Sequence, residues 1–253
     1  MKSSEDNNNI RRRRGKRRKQ RPFLNILIVV LVILGAYFIG FRSGIFDIKE
    51  VEVEGNIHYT AGQVAELTGV EFGDNIFRTR VSAVAKKLEE DPYIRKADVK
   101  WALPAGLFIV LDERKESVLV EHGEEYVIVD FDGVILRQTK EYLLLPVFTG
   151  LTPISPEAGK ALRVEEAGLL KPGLDFIEFV EHSDFYIKRL DLGGVVPRAY
   201  VFDRLLVEGE LKNMEKNMGE IKRVIADLDS KGIERGTISV GGGSCSFSPE
   251  IRN

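Results

Sequence analysis

The sequence predicts an α+β protein with a single N-terminal transmembrane helix, a β-α-α-β-β unit after it, and then a β-rich domain with packed helices. Three observations predict this. Phe23 to Phe41 runs nineteen residues without a charge. Ile48 to Glu54 alternates apolar and acidic residues with period two, and two amphipathic helical segments and two further strand-like runs follow it. Beyond residue 115, hairpin signals recur, and a long apolar stripe at three- and four-residue spacing closes the chain's last third.

At about 1.5 Å of rise per residue, the uncharged stretch spans roughly 28 Å as a helix, close to the hydrocarbon thickness of a bilayer. Fourteen of its residues are Leu, Ile, Val or Phe. On the insertion scale they favour spanning by roughly 4 to 8 kcal/mol, which Asn25 alone does not cancel. A cleaved signal peptide has a shorter apolar region and ends in small residues; here Tyr37, Phe38 and Phe41 occupy the far end. A twin-arginine signal fits less well, because the arginines lie well before the apolar run.

Residues 1–22 hold ten Lys or Arg against Glu5 and Asp6. Basic residues flanking a span stay in the cytoplasm, so the tail is expected inside and everything from Arg42 onward outside. That exterior part carries 27 basic and 37 acidic residues. A basic tail could also contact nucleic acid. Placed against the span and without interleaved aromatics, it fits a topology signal and a contact with anionic lipid instead. Residues 1 to 10, polar and Asn-rich, are expected to be disordered. Cys245 is the only cysteine, so no intrachain disulfide staples the exported part.

The strand from Ile48 stops at Gly55-Asn56. Thr60 with Gln63 makes a capping box for a short helix whose apolar face is Val64 and Leu67, ended by Gly69. A second helix carries Val81, Val84, Ala85 and Leu88, and Asp91-Pro92 stops it. Strands follow at Ala97 to Trp101 and Leu107 to Glu113, joined by a turn at Leu103 to Gly106. Several of these landmarks, Phe46-x-Ile48-x-x-Val51-x-Val53-x-Gly55, Gly73-x-Asn75-Ile76-Phe77, Asp91-Pro92-Tyr93-Ile94 and Leu103-Pro104 leading to Ile109-x-Leu111-x-Glu113-Arg114, resemble a POTRA domain. They are closest to that of the bacterial division proteins FtsQ and DivIB. The order of parts resembles that family too: basic tail 1–22, span 23–41, POTRA domain 46–114, a β domain at 115–241 and a flexible end at 242–253.

In the second half, Val118 to Val120 and Tyr126 to Asp130 flank a hairpin signal at Gly123-Glu124. Asp130-Phe131-Asp132-Gly133 then turns into Val134 to Leu136. A calcium loop would need more oxygen ligands at regular spacing, so a tight turn is the reading. Leu145-Pro146-Val147-x-Thr149-Gly150 is a further landmark the family shares. Residues 151 to 173 read as loop with at most a short helix, and Leu174 to His182 as a helix on a sheet. Strands are expected near Ile187 to Leu192 and Ala199 to Val207. One helix is expected over Leu211 to Leu228, with Leu211, Met214, Met218, Ile221, Ile225 and Leu228 facing the core. A strand is expected at Gly236 to Gly241, with a mobile glycine-rich end after it.

No catalytic, cofactor-binding or metal-binding residues are expected. His58, His122 and His182 are far apart and lack second ligands at metal spacing. No Gly-x-Ser-x-Gly elbow, Ser-x-x-Lys pair or phosphate loop occurs. Paired carboxylates for cell-wall hydrolysis are the one enzymatic reading left open. An export or assembly factor would bring tandem POTRA repeats or a β-barrel, and the sequence shows neither. A membrane-held module with open strand edges can instead recruit another chain by strand addition. The resemblance implies partners of the FtsB/DivIC and FtsL type, no small-molecule substrate and concentration at the division septum. It places the contact on the last strand edge, Arg235, Thr237, Ile238, Ser239 and Val240, with Lys212 and Lys216 on the adjoining helix. Family members carry an acidic and a basic residue in this strand where Thr237 and Ser239 stand here.

Overall fold

A computed structural model describes residues 21–42 and 44–250. Of the expected basic tail, only Arg21 and Pro22 fall inside that range. They open helix α1, Arg21–Arg42. Phe23–Gly40 is the one helix long and apolar enough to cross a membrane among the described residues. Its side chains are exposed along the window, unlike those of a core helix in a soluble domain.

The first folded unit has the predicted order: β1 (Glu50–Glu54), α2 (Ala61–Thr68), α3 (Val81–Leu88), β2 (Ile94–Ala102) and β3 (Gly106–Glu113). Its sheet runs β1-β3-β2, with β1 parallel and β2 antiparallel to the central strand. The capping box forms as read: the Thr60 hydroxyl accepts from the Gln63 N–H, and Gln63 Oε1 accepts from the Thr60 N–H at 2.9 Å. Gly69 ends α2 at a left-handed φ of 66°. Val64, Val84 and Leu88 from the helices meet Ile94, Ala97, Val99, Leu107, Ile109 and Leu111 from the sheet in one buried cluster. Gly55 at the end of β1 has φ +79°, and a Cβ there would lie 2.2 Å from the Leu111 carbonyl oxygen. Both facts require glycine.

The second unit is a nine-stranded mixed sheet. Its elements are β4 (Val118–His122), β5 (Glu125–Val129), β6 (Ile135–Thr139), β7 (Val147–Thr149), α4 (Leu170–His182), β8 (Arg189–Asp191), β9 (Arg198–Tyr200), β10 (Arg204–Glu208), α5 (Leu211–Lys216), α6 (Met218–Ser230), β11 (Arg235–Val240) and β12 (Cys245–Pro249). The spatial order is β12-β11-β10-β9-β8-β7-β4-β5-β6. Helices α4, α5 and α6 cover one face, where Phe148, Phe176, Leu190, Leu205, Met214, Ile221 and Ile238 are buried together.

Four expectations for this half need correction. Helix α4 starts at Leu170, not Leu174: Pro172 sits in its first turn, where the missing N–H has no intrahelical partner to lose. Gly173, inside the helix, lets it lie against the sheet, since a Cβ there would come within 2.9 Å of Leu192 and 3.0 Å of Phe148. The single strand expected over Ala199 to Val207 is a hairpin, β9 and β10, turned by Val201, Phe202 and Asp203; the Val201 N–H donates to the Leu205 carbonyl. The helix over Leu211 to Leu228 breaks at Asn217, although Met214, Met218, Ile221, Ile225 and Leu228 all stay buried across the break. Lastly, the end expected to be flexible from residue 242 forms β12, antiparallel to β11. Gly242-Gly243 is the hairpin turn between them, with the Gly241 N–H donating to the Ser244 carbonyl at 3.1 Å.

The two units meet around residues 114 to 117. Arg114 donates to the buried Asp130 at 2.5 Å and to Asp132 at 3.2 Å, and Arg95 from β2 reaches Asp132 at 3.0 Å. Asp130 also accepts from the Val134 N–H at 2.7 Å, so the turn read from Asp-x-Asp-Gly is fastened to the first unit. Alongside, Glu116 accepts from the Tyr93 hydroxyl at 2.6 Å and from Arg137 Nε at 2.7 Å. Among the described residues no group of carboxylates, histidines and cysteines is arranged to hold a metal.

Candidate partner-binding edge

The residues expected to form an open strand edge lie on β11, and β11 has a neighbour on each side. It pairs in parallel with β10, Arg204 opposite Arg235 through Glu208 opposite Ser239. On the other side β12 pairs with it, Ser248 opposite Thr237 and Ser246 opposite Ser239. Its backbone is therefore engaged. Ile238 and Val240 are buried in the main core at 0 % and 6 % exposure. They are core residues and do not present a surface.

Thr237 and Ser239 are partly exposed and point to the face opposite the helices, and Arg235 is exposed at the strand's start. The Ser239 hydroxyl donates to Glu208 at 3.0 Å, and Arg198 lies 3.8 Å from the same carboxylate. An acid and a base thus sit beside Ser239 on β10 and β9, not within β11. Lys212 and Lys216 are exposed on α5, across the sheet from Thr237 and Ser239. The structure does not gather the seven residues on one surface.

What sequence reasoning missed is β12. Antiparallel pairs alternate between residues that exchange hydrogen bonds and residues whose backbone groups point away from the partner. The Gly241–Ser244 bond and the register assign Ser246 and Ser248 to the pairs that bond inward to β11. Cys245 and Phe247 then direct their N–H and C=O groups outward. Among the described residues no strand lies beyond them. Such edges are commonly blunted with charge or proline; here the strand is Cys-Ser-Phe-Ser-Pro, uncharged, with a proline only at its end. Phe247 anchors the strand by lying over Gly236, where a Cβ would meet its ring at 2.6 Å and φ is +138°. The available signal was Gly-Gly between Val240 and Cys245, a hairpin dipeptide.

Further into the sheet, on the face away from the helices, two clefts adjoin at the Val201 to Asp203 turn. One, of about 350 Å³, is lined by Phe202, Asp203, Arg204, Glu234 and Arg235 among others. The other, of about 200 Å³, is lined by Tyr126, Tyr142, Lys188, Arg189, Tyr200 and Phe202 among others. The Arg189 guanidinium stacks 3.9 Å over the Tyr200 ring. Lys188 is hydrogen-bonded to Asp203, which raises the amine's pKa and lowers the carboxyl's. The arrangement offers rings and paired charges for holding a polypeptide.

Residues 46–114 match the family model of the POTRA domain, FtsQ-type. The cell division protein DivIB of Clostridium acetobutylicum is 33 % identical over 95 residues, 38 % of each chain. The cell division protein FtsQ of Anaeromyxobacter sp. is 27 % identical over 208 residues, 77 % of this chain and 67 % of that protein. The DivIB of Clostridium botulinum (strain Hall) is 22 % identical over 200 residues, 77 % of this chain and 78 % of its own length. Residues 46–114 are thus an FtsQ-type POTRA domain, and most of the chain is similar to the FtsQ and DivIB cell division proteins.

The FtsQ/DivIB landmarks quoted above now have physical roles. Asp91, three residues past the end of α3, accepts from the Tyr59 hydroxyl and from the Tyr93 N–H, both at 2.9 Å, and so ties the loop before α2 to the start of β2. Asn75 accepts from the Phe77 N–H at 3.1 Å and donates to the Gly40 carbonyl at 2.8 Å, which joins the FtsQ-type POTRA domain to the end of α1.

Proposed function

We propose that this chain is a bitopic scaffold of the bacterial division septum. Its basic tail lies in the cytoplasm, α1 crosses the membrane, and the POTRA and β domains stand outside and bind other division proteins. The division role follows from the names of the relatives. The asymmetry of ten basic residues before the span supports the orientation. The partners this reading favours are of the FtsB/DivIC and FtsL type, with no small-molecule substrate and no catalysis by this chain.

The observation that carries the binding reading is the uncharged outer edge of β12. An added strand would take the backbone groups of Cys245 and Phe247, and its side chains would lie beside Ser246 and Ser248 on one face or Cys245 and Phe247 on the other. The contact moves one strand outward from β11. Lys212 and Lys216, exposed on α5, are available to steer an acidic partner.

The test is co-purification of the full chain with a coiled-coil division partner. Substituting Ser246→Lys together with Ser248→Lys leaves β11 and the core intact while adding charge beside the edge. Loss of the partner with retained septal localisation of a fluorescent fusion is the expected result. Undiminished capture would sink the assignment to β12.

A further inference from the structure

The POTRA unit sits directly on the end of the apolar helix. One side chain makes the junction: the Asn75 amide donates to the Gly40 carbonyl at 2.8 Å and accepts from the Phe77 N–H at 3.1 Å. Asn75 is itself buried, so this bridge is shielded from water. A second tie holds the chain that leaves the helix, where the Ile76 N–H donates to the Phe46 carbonyl at 2.8 Å. Both ties hold the same edge of the domain at the level where the span ends.

That edge is apolar and exposed. Phe46, Phe77 and Trp101 form a chain of rings with centroids 5.0 Å and 6.1 Å apart. Trp101 falls in register with Ala97 and Val99, which face the core, but α2 and α3 do not reach over it and it stays 48 % exposed. Phe77 is 42 % and Leu103 64 % exposed. A tryptophan beside phenylalanine and leucine, at the depth where an apolar span gives way to water, matches the composition of the interfacial belt of membrane proteins.

We propose that Phe77, Trp101 and Leu103 dock into the headgroup layer of the leaflet from which α1 emerges, so that the POTRA domain lies against the bilayer instead of swinging on a tether. The occupant is phospholipid. The argument is continuity: the surface is hydrogen-bonded to the end of the segment that the preceding reading places in the bilayer, and the proposal rests on that reading. The docked edge would fix the height and tilt of the β domain, and with it the distance of β12 from the membrane.

Trp101 is the only tryptophan in the chain, so its fluorescence reports this edge without an engineered probe. The full chain is reconstituted in vesicles of phosphatidylcholine and phosphatidylglycerol that contain lipids brominated at shallow acyl positions. Docking predicts blue-shifted Trp101 emission that the brominated lipid quenches, unchanged as protein is diluted in lipid, and lost in Leu103→Asp. Emission quenched by aqueous iodide and not by bromolipid overturns it. Shielding that vanishes on dilution also overturns it, because a second copy of the chain would then be the cover. Alkaline extraction of the same vesicles separates the two readings: a chain that washes off refutes the span, whereas a chain that stays with an unquenched Trp101 refutes only the docking.

Discussion

The two ends of the nine-stranded sheet are treated in opposite ways. At the β6 end, the loop after β7 is laid along the strand: the Ile135 N–H donates to Lys160 at 2.9 Å and the Gly159 N–H donates back to Ile135 at 2.7 Å. The same end is fastened to the POTRA unit through Arg137, Glu116 and Tyr93. At the β12 end, no strand lies outside Cys245 and Phe247 among the described residues. Folding covers the Ile135 end of one edge with a loop and leaves the other edge without a neighbouring strand among the described residues. An edge so exposed, without charge to discourage pairing, is suited to binding another chain.

The largest expected effect breaks the closed end. Ile135→Pro removes the N–H that meets Lys160 and trims a side chain that is 1 % exposed. The stranded carbonyl and the lost burial together cost about 4 kcal/mol. Urea denaturation followed by far-ultraviolet circular dichroism measures it. Next comes Asp130→Ala. Asp130 is 1 % exposed and is the common acceptor for Arg114 and the Val134 N–H. Its removal leaves the mostly buried Arg114 guanidinium with only the longer contact to the exposed Asp132, and the Val134 N–H without its acceptor, at a cost of about 3 kcal/mol. If either variant shifts the unfolding free energy by less than about 1 kcal/mol, the β6 end is not closed in the sense argued here.

The closed side of the molecule is also the side that local sequence made readable. Thr60 with Gln63, Gly69, Asp91-Pro92 and the Asp130 to Gly133 turn each act through neighbours a few residues away, so spacing alone exposes them. The open side was misread for a physical reason. Cys245 to Pro249 lacks β-branched residues, and what makes it a strand is the ladder that β11 offers, together with the seat of Phe247 over Gly236. Both are tertiary effects. The break at Asn217 was hidden in the same way, because the buried stripe from Met214 to Leu228 keeps its spacing through it. That β11 lies inside the sheet depends on pairing across the chain, which periodicity does not encode. Ile238 and Val240 therefore passed for surface when they are core.

A smaller effect is expected at the domain junction. Burial pushes the Glu116 pKa up, but hydrogen bonds from Arg137 and Tyr93 outweigh it and hold the carboxyl below its ordinary value. A depressed native pKa contributes stability that is complete above the unfolded value, about 4.3, and is lost as pH falls through the native one. Tyr93 behaves in the reverse sense: burial, then the Glu116 hydrogen bond, push it up to about 12. Its contribution is complete below the unfolded value, about 10, and lost as pH rises beyond it. Tyr93→Phe should cost about 1 kcal/mol at neutral pH and flatten both limbs of the stability profile. An unchanged profile between acid and neutral pH would show that Glu116 does not clasp the two domains.

The smallest effect on stability is expected where the edge is open. Cys245→Pro is the counterpart of Ile135→Pro: the same change at a strand position of the same sheet, but with the N–H directed away from β11. The inward bonds of Ser246 and Ser248 remain, and proline is tolerated on an edge whose N–H faces solvent. The cost is then the partly buried thiol's packing and some backbone adjustment, about 1 kcal/mol. What the substitution removes is an outward donor that an added strand would use. A Cys245→Pro chain that unfolds near the wild-type urea midpoint and no longer captures its partner would separate folding from binding on one strand. A loss of stability as large as that of Ile135→Pro would show instead that the Cys245 N–H is already bonded within the chain, and that the two ends of the sheet are alike.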